Sequence, residues 1–347
     1  MSDASRALNV RSVTAADHSA WNTFVLTHPD GTFFHRFEWR DILADTLGHQ
    51  THYLLAERGG QIVAVLPLVE MRSFLFGCAF VSTPFCVYGG ALAADETARE
   101  SLEERACTLA RQAGAAHLEM RNRSPVNPDW PGKSLYVTFR KPISADHDVN
   151  MKEIPRKQRA EVRRGQKLGL ISRIDSDATT LYRLYSESLR NLGTPVFSVR
   201  YMRALQEAFG SDCDVLTVTS AGVPVSSVMN FYFRDEVLPY YGGGSFTARK
   251  VSANDFMYWE VMRRAADRGC RLFDFGRSRC GSGSYSFKKH WGFEEAPLHY
   301  EYALLQATEV PNLNPTNRKY AALIEAWRRM PVWLTRIIGP PLARHLG

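Results

Sequence analysis

Residues 237–275 read VLPYYGGGSFTARKVSANDFMYWEVMRRAADRGCRLFDF, and the pattern of this stretch decides the predicted fold. An apolar run ends in three glycines, and a segment with the apolar spacing of a helix follows. Gly269 then ends that helix, because glycine is common just past a helix C-terminus, and a second apolar run begins. The stretch therefore predicts a strand, a helix and a second strand. Residues 213–233, CDVLTVTSAGVPVSSVMNFYF, precede it and predict a β-hairpin.

The first half of the chain repeats this order. It predicts, in sequence, a hairpin at 52–71, a strand with a Gly-Gly pair at 84–93, a helix at 98–114 and a strand at 115–122. Gly89-Gly90 and Gly242-Gly243 are 153 positions apart, and the glycines that end the two helices are 155 apart. Three strands, a helix and a strand in a mixed sheet are typical of GNAT-type acyltransferases. The sequence thus predicts an α/β fold with two tandem GNAT-like domains.

A polar segment that contains two prolines, 141–155, predicts the boundary between the two repeats. We expect a GNAT-like domain at 1–148, a second one at 149–310 that carries the active site, and a helical tail at 311–347. Each GNAT-like domain is predicted to be a mixed, mostly antiparallel twisted sheet flanked by helices.

Composition narrows the class of protein. The 347 residues carry a formal net charge of +7, which favours anionic partners such as nucleotides, RNA or acidic lipids. The N-terminus shows no apolar signal segment, and six scattered cysteines predict buried free thiols and no metal site. The uncharged stretch 73–94 contains glycines and a proline, so it predicts two buried strands joined by a turn. We therefore expect a cytoplasmic location.

A cluster of basic residues opens the second domain, in MKEIPRKQRAEVRRGQKLGLI at 151–171. Arg156, Arg159 and Arg163 follow helical spacing, so one helix face would carry three guanidinium groups. Forked guanidinium donors suit phosphate oxygens, which predicts contact with phosphate or RNA. A solvated basic face is the alternative.

Two further segments supply candidate substrate contacts. In GNAT-like domains the loop between the first two helices covers the acceptor, which makes Tyr185, Thr194 and Phe197 candidates. Tyr240 and Tyr241 would alternate across a strand, one toward the core and one toward the cleft, so Tyr241 is an acid–base candidate. The glycines after them allow close approach to a ligand, and Asn254 is a candidate contact at the start of the helix.

The segment GSGSYSFKKHWGF at 281–293 follows the last strand of the second repeat. That strand would deliver Asp274, Arg277 and Ser278 to its C-terminal end, although an Asp274–Arg277 ion pair is an alternative. If the segment is extended, its residues alternate between two faces. One face would carry Tyr285, Phe287, Lys289 and Trp291, and the other Ser286, Lys288 and His290.

These motifs resemble a known family. PRKQRAEVRRGQKLGL, NLGTPVF, VLPYYGGG, the segment from ANDF to HWGF and the tail NPTNRKYAALIEAWRRMP together resemble the FemAB-like proteins associated with exosortase/PEP-CTERM systems. These are similar to the Fem-type aminoacyltransferases, which belong to the GNAT-related proteins and use aminoacyl-tRNA. The helical-hairpin insertion of some staphylococcal members is absent.

The resemblance implies roles for individual residues. YSFKKHW resembles the family's Tyr-x-Phe-Lys segment, which matches Tyr285, Phe287 and Lys288, so Lys288 would stabilise the developing negative charge. Apart from the resemblance, Asp274 and Tyr241 are weaker acid–base candidates. The basic helix is similar to the family's phosphate-binding helix. Taken together, the candidate substrate-binding residues from the whole sequence are Arg156, Arg159, Arg163, Tyr185, Thr194, Phe197, Asn254, Arg277, Ser278, Tyr285 and Trp291.

The function predicted from the sequence is acyl transfer. An aminoacyl or acyl group would move from aminoacyl-tRNA or acyl-CoA to an amine or hydroxyl of a saccharide, peptide or lipid-linked envelope or exopolysaccharide precursor, with no tightly bound cofactor. One alternative is an acetyl-CoA-dependent N-acetyltransferase, although the usual Gly-rich pyrophosphate turn is missing from GGGSFTARKVSAN. A second is a non-catalytic adaptor that binds nucleotide or RNA.

The tail mixes apolar and basic residues over 320–347, which predicts either contact with an anionic membrane or a helix packed on the domain. The first of these would place the protein at the periphery of the inner membrane.

Overall fold

The computed structural model describes residues 7–73, 77–311 and 318–346, with side chains from 322 onward in the last range. By their contacts the residues form two compact units. The N-terminal unit comprises Met1–Leu135, Pro297–Asn312 and His345–Gly347, and the C-terminal unit comprises Tyr136–Ala296 and Leu313–Arg344.

The chain forms twelve α-helices and eighteen strands within the described residues. The helices are α1 His18–Thr27, α2 Glu38–Leu47, α3 Glu96–Gln112, α4 His147–Glu153, α5 Arg156–Lys167, α6 Thr179–Leu192, α7 Val199–Phe209, α8 Phe246–Lys250, α9 Ala253–Asp267, α10 Gly283–His290, α11 Arg318–Arg329 and α12 Val332–Ala343. The strands are β1 Leu8–Ser12, β2 Gln50–Thr51, β3 Leu54–Arg58, β4 Gln61–Leu66, β5 Val69–Ser73, β6 Gly77–Ser82, β7 Leu92–Ala93, β8 His117–Asn122, β9 Gly132–Lys133, β10 Tyr136–Pro142, β11 Ile171–Asp175, β12 Cys213–Ser220, β13 Val223–Phe233, β14 Glu236–Gly244, β15 Leu272–Asp274, β16 Ser278–Arg279, β17 Glu294–Pro297 and β18 His299–Leu304.

The N-terminal unit contains a sheet of order β1-β3-β4-β7 and another of order β2-β5-β6-β8-β18-β9. β6 and β8 are parallel, and α3 connects them. The apolar face of α3, which includes Leu102 and Ala106, is buried against strands of both sheets in one core with Phe80 and Leu118. Parallel neighbours need such a crossover connection, and the predicted helix and the strand after it are confirmed here.

The predicted strand at 84–93 is wrong for most of its length. Only its end forms a strand, β7, which pairs with β4, and the residues before β7 are irregular. Gly89 lies in this irregular segment, and a Cβ there would be 2.1 Å from the carbonyl oxygen of Ser82. Gly90 has φ +88°, which suits glycine. Gly89 and Gly90 therefore allow the chain to turn back close to Ser82. They do not correspond to Gly242-Gly243, which lie within β14.

The C-terminal unit contains a sheet of order β11-β12-β13-β14-β15-β10-β16, with β17 paired to β10. β12 and β13 form the predicted hairpin, whose turn residues Ala221 and Gly222 both have positive φ. β14 and β15 are parallel and are connected through α9, so this unit repeats the order of the N-terminal unit. α9 buries Phe256, Trp259 and Met262 in the core of the unit.

The division by contacts differs from the predicted domains at two segments. β10 at 136–142 pairs with β15 and therefore belongs to the C-terminal unit. β18 pairs with β8 over its whole length and belongs to the N-terminal unit. Both differences have one cause, because sheet pairing joins strands that are distant in the chain and linear composition does not show it.

The tail forms helices, as predicted. α11 and α12 both pack against α6 in the C-terminal unit. The Arg190 side chain of α6 donates hydrogen bonds to the carbonyls of Arg328 and Met330, each at 3.3 Å. Part of the tail, including residues 312–317, lies outside the described residues.

We predict that Gly243→Ala destabilises the C-terminal unit by about 2 kcal/mol or more. A Cβ at Gly243 would lie 2.6 Å from Cα of Tyr185 in α6, and a backbone atom cannot move away cheaply. The measurement is the urea midpoint of unfolding. Gly283→Ala is the matched control, because a Cβ there meets no atom within 4 Å. Equal midpoints for the two variants would contradict the close packing of α6 on β14.

Candidate functional site

The parallel strands β14 and β15 part from one another. Their register pairs Glu236 with Leu272 and Val237 with Phe273, whereas β14 continues to Gly244. A gap therefore opens at the C-terminal ends of two parallel strands, a common place for ligand sites in α/β sheets.

The corresponding place in the N-terminal unit is filled by the chain itself. After β6 the chain folds back, and the Gly90 N–H donates to the Ser82 hydroxyl at 2.9 Å. The Gly89 N–H donates to the carbonyl of Arg121 in β8 at 2.8 Å. These bonds join the end of β6 to the end of β8 through the intervening loop. The open gap of the C-terminal unit is thus the better candidate site.

A bulge borders this gap. β10 pairs Arg140 with Asp274 on β15 and Val137 with Ser278 on β16, so residues 275–277 face the two β10 residues 138 and 139. The extra residue is accommodated by Gly276, whose φ is +66°. Bulges of this kind redirect the backbone and are frequent beside active sites.

The bulge carbonyls converge on Lys288. Its ammonium donates to the carbonyls of Phe275 at 2.6 Å, Gly276 at 2.9 Å and Arg277 at 3.2 Å. Each of the three N–H groups of the ammonium therefore has an acceptor. Burial lowers the pKa of Lys288 to about 7, while the charge of Asp274 acts in the opposite direction.

Asp274 holds the bulge from its other side. Its carboxylate accepts from the Gly276 N–H at 2.7 Å and from the Thr138 hydroxyl at 3.0 Å, and it pairs with Arg140 at 3.3 Å. The side chain is fully buried. These contacts are those of a positioning residue, and the acid–base role of Asp274 stays a prediction. Arg277 lies over the ring of Tyr136, with 4.6 Å from its guanidinium carbon to the ring centre.

The extended conformation considered for 283–290 is wrong. These residues form α10, capped by the Ser282 hydroxyl, which accepts from the Tyr285 N–H at 3.2 Å. A helix separates neighbouring side chains by about 100°, so Lys288 points into the bulge while Lys289 is exposed and pairs with Glu295 at 3.6 Å. Local spacing alone could not distinguish the two conformations in this short segment.

Tyr285 and Trp291 have different surroundings. The half-buried Tyr285 packs edge-on against Phe139, with ring centres 5.4 Å apart. Trp291 is fully buried and donates from its indole nitrogen to Asp255 at 3.0 Å. This burial does not fit the substrate contact predicted for Trp291, which is a core residue in this structure.

Sequence reasoning missed Tyr258 of α9. Its ring packs on Phe275 of the bulge, with centres 4.8 Å apart. Its hydroxyl lies 3.5 Å from the position that a Cβ on Gly242 would occupy, so the side chain reaches from the bulge to β14. Burial raises the pKa of Tyr258 to about 12, which keeps the phenol protonated as a hydrogen-bond donor. Within the apolar run DFMYWEVM no signal separates this tyrosine from core residues.

The predicted substrate residues Tyr185, Phe197 and Tyr241 meet in one aromatic cluster. The ring centre of Tyr241 is 5.7 Å from that of Tyr185 and 6.3 Å from that of Phe197. Tyr201 of α7, which sequence reasoning missed, joins them through a hydroxyl–hydroxyl bond of 2.9 Å to Tyr241. Thr194 lies exposed beyond the end of α6.

The predicted alternation of Tyr240 and Tyr241 is wrong. β13 pairs Met229 with Tyr241 and Asn230 with Pro239, so Tyr240 is the extra residue of a bulge in β14. Because of the bulge, the rings of Tyr240 and Tyr241 contact each other, with their centres 4.8 Å apart. Burial raises the pKa of Tyr241 well above 10, so this hydroxyl is also a donor and not a ready base.

Carboxylates surround the start of α9. The N-cap residue is Ser252, whose φ is +56° and whose side chain makes no capping hydrogen bond to the helix N–H groups. Its hydroxyl donates to Glu161 of α5, and Asp255 lies in the first turn. Burial raises the pKa of Asp255 to about 6. Asn254 is half-buried, with its amide oxygen 3.0 Å from the position of a Cβ on Gly244.

The predicted basic helix is confirmed as α5. Val162 and Gly165 face inward, and a Cβ on Gly165 would lie 2.9 Å from Phe256 in α9. Arg156 and Arg163 are exposed and Arg159 is half-buried. None of the three has an ion-pair or hydrogen-bond partner within the described ranges, so their guanidinium groups are available to an anion.

The basic helix α5 and the helix α10, which carries Lys288, lie close together. Gly292, just after α10, lies against Pro155, just before α5, and a Cβ on it would be 3.0 Å from Cγ of Pro155. The Arg face and the Lys288 bulge therefore belong to one region of the C-terminal unit.

Two hydroxyls follow the parting strands. Ser245 comes after β14 and Ser278 after the bulge, and both hydroxyl oxygens are buried. Neither has a hydrogen-bond partner within the part of the chain that the structure describes. Buried polar groups are normally satisfied, so these hydroxyls are candidate contacts for a polar ligand.

Cysteines and metal-binding groups add nothing to this site. Five cysteines are buried free thiols as predicted, but Cys280 is exposed. Within the described ranges, 7–73, 77–311 and 318–346, no cluster of His, Cys, Asp and Glu could hold a metal ion.

Comparison with known proteins identifies the domain type. Residues 152–289 match the acetyltransferase (GNAT) domain family. This segment is therefore similar to GNAT domains. The matched segment contains α5, the aromatic cluster, the parting strands and Lys288, which supports the predicted acyltransferase class. No curated protein matches the sequence.

Solved structures extend the likeness to the whole fold. FemX is similar over 86% of this chain and 98% of its own, with a TM-score of 0.65 and 16% identity. A tandem GNAT protein from the clavulanic acid biosynthesis pathway is similar over 87% of this chain and 100% of its own (TM-score 0.55, 11% identity). The C-terminal domain of a protein described as a lysylphosphatidylglycerol synthetase from Agrobacterium fabrum is similar over 84% and 92% (TM-score 0.57, 14% identity). The predicted tandem GNAT-like fold is confirmed.

We predict that Asp255→Asn stabilises the protein at pH 7 by about 1–2 kcal/mol. Because the folded-state pKa of Asp255 is raised to about 6, the folded chain binds more protons than the unfolded chain between about pH 4 and 6. Stability of the wild type should therefore fall as pH rises through this window, and the variant should lack this contribution. Asparagine keeps an acceptor for the Trp291 N–H.

Urea unfolding at pH 4, 5, 6 and 7 measures this difference. Asp235→Asn, at an exposed turn residue, is the control and should leave the pH dependence unchanged. A constant difference between wild type and Asp255→Asn across the series would contradict the raised pKa.

Proposed function

We propose that the C-terminal unit catalyses acyl transfer from a carrier to an amine or hydroxyl acceptor. The observation that carries this proposal is the gap between β14 and β15 beside the bulge that Lys288 holds. A reacting acyl group placed in this gap would lie next to a buried cation. Positioning and electrostatic stabilisation would then supply most of the rate.

Lys288 would stabilise the developing negative charge. Its ammonium is desolvated, which strengthens its interaction with an anion, and one N–H would exchange a bulge carbonyl for the oxyanion. Negative charge at this point would in turn favour the protonated lysine. Asp274 would position the bulge, and the protonated phenols of Tyr258 and Tyr241 would donate hydrogen bonds.

The carrier would be anionic and bound through α5. Arg156, Arg159 and Arg163 offer forked donors for phosphate near the lysine helix. The start of α9, where backbone N–H groups would otherwise attract a pyrophosphate, is bordered by Glu161 and Asp255. These carboxylates disfavour a second anion there, which supports aminoacyl-tRNA over a CoA ester. The GNAT domain match supports the alternative, an acetyl-CoA-dependent N-acetyltransferase.

The acceptor would be an envelope or exopolysaccharide precursor. The fold similarity to FemX and to the domain from the lysylphosphatidylglycerol synthetase favours aminoacyl transfer. The resemblance to the FemAB-like proteins of exosortase/PEP-CTERM systems adds the saccharide, peptide or lipid-linked acceptor. Such an enzyme would act in the cytoplasm or at the inner face of the membrane.

We predict that Lys288→Met lowers the transfer rate by about a hundredfold or more while the fold is retained. The measurement is single-turnover transfer with each donor, with circular dichroism to check the fold. Lys289→Met is the matched control, since Lys289 is exposed on the same helix, and it should keep near-wild-type activity.

Near-wild-type turnover of Lys288→Met would reject the charge-stabilising role. If the wild type binds donors but shows no turnover with any of them, the non-catalytic adaptor is the better description.

We predict that replacing Arg156, Arg159 and Arg163 by glutamine weakens carrier binding by about tenfold or more at low salt. Removal of phosphate contacts should also flatten the dependence of the binding constant on salt concentration. Binding of aminoacyl-tRNA and of acetyl-CoA is measured separately. The control variant replaces Arg200 and Arg203, two exposed arginines on α7.

The two donors give distinct outcomes. If the triple variant loses tRNA binding and the control variant keeps it, the result supports aminoacyl-tRNA as the carrier. Tight acetyl-CoA binding that the triple variant keeps would favour the acetyltransferase alternative.

A further inference from the structure

The buried residues of the helix α12 are small, whereas some of its large apolar side chains are exposed; Val332, Leu334 and Ile338 are half-buried. Thr335, Gly339 and Ala343, spaced four residues apart, are its buried residues. Trp333 and Ile337, also spaced four apart, are each 63% exposed. Surface helices normally bury their large apolar residues, so this pattern is the reverse of what packing on the domain alone requires.

Contacts with α6 and the following loop fix which face of α12 points outward. A Cβ on Gly339 would lie 3.0 Å from the carbonyl oxygen of Val196, so a side chain there would require the backbone to shift by a few tenths of an ångström. Arg336 lies over the ring of Tyr182 at 5.5 Å and donates to the carbonyl of Arg183 at 3.2 Å. The exposed apolar face is therefore not a consequence of a loosely held helix.

Positive charge accompanies this face. The sequence from residue 326 to 347 contains no Asp or Glu, whereas it contains Arg328, Arg329, Arg336 and Arg344. The Arg329 side chain is 79% exposed and pairs with Glu325 at 3.0 Å, and Arg328 pairs with the same carboxylate at 3.8 Å. Leu323 on α11 adds a further exposed apolar side chain. An apolar surface bordered by a net positive charge, four arginines against Glu325, matches the boundary of an anionic membrane, where headgroups and acyl chains meet.

We propose that the outer face of α12, Trp333 and Ile337 with the neighbouring arginines, binds an anionic membrane surface. The helix would lie in the plane of the interface, with the tryptophan at headgroup depth. Twelve residues are too few to cross a bilayer, and none of the described helices has the length and apolar character to do so. A second copy of the chain is a poorer partner, because a symmetric contact would bring the two arginine clusters together.

This proposal does not rest on the acyl-transfer function. It concerns a surface that is described by its own contacts, and its test needs no donor or acceptor.

The test is co-sedimentation of the full chain with vesicles. Phosphatidylcholine vesicles with about 30% phosphatidylglycerol provide the anionic surface, and pure phosphatidylcholine vesicles provide the neutral one. We expect binding to the anionic vesicles that decreases as salt increases. The variant Trp333→Asp/Ile337→Asp should bind at least about tenfold more weakly. Val223→Asp/Phe246→Asp is the matched control, because it adds the same charge at exposed apolar residues elsewhere in the same unit.

Three results would overturn the proposal. One is equal vesicle binding by the two double variants, provided that thermal melting shows both to be folded. Another is equally strong binding of the wild type to neutral vesicles. The third is a concentration-dependent dimer, seen by light scattering without vesicles and abolished by Trp333→Asp/Ile337→Asp, together with no vesicle binding. That last result would assign the face to self-association.

Discussion

The candidate site depends on the hydrogen bonds between the ammonium of Lys288 and the bulge in the strand end. These hydrogen bonds to the carbonyls of residues 275–277 hold a bulge whose other side is tied by Asp274. Burying a cation is costly, and the bulge carbonyls and the charge of Asp274 compensate part of this cost, although burial still lowers the pKa of Lys288 to about 7. The shape of the strand end and the charge state of the lysine are therefore coupled, since each requires the other.

The two units differ at the ends of their parallel strands. Both contain a parallel pair of strands joined by a helix, but in the N-terminal unit the chain after β6 returns and bonds to β8. In the C-terminal unit β14 continues past its partner and leaves a gap, which Tyr258 borders from α9. Repetition of one fold thus does not repeat the site. The difference lies in a few backbone hydrogen bonds made by Gly89 and Gly90.

The basic side chains of the C-terminal unit lie in three different kinds of surroundings. Arg156, Arg159 and Arg163 of α5 have no partner within the described chain, and Arg156 and Arg163 are exposed, which suits a soluble or extended anion. Lys288 is desolvated, which suits a charge that exists only briefly. The arginines around α12 border large apolar side chains, which suits a lipid surface. Basic composition alone, a net charge of +7, could not separate these three environments.

The order of most strands and helices and the basic helix α5 could be predicted from the sequence, because apolar periodicity and motif spacing are local properties. The role of Lys288 stays a prediction from the family resemblance. The bulge at Gly276, the helical form of α10, the contact between Tyr258 and the gap, and the membership of β10 and β18 in their units could not. Each of these depends on hydrogen bonds or packing between residues far apart in the chain. Short segments such as 283–290 carry too little local preference to decide their conformation, so the partners provided by the folded chain decide it.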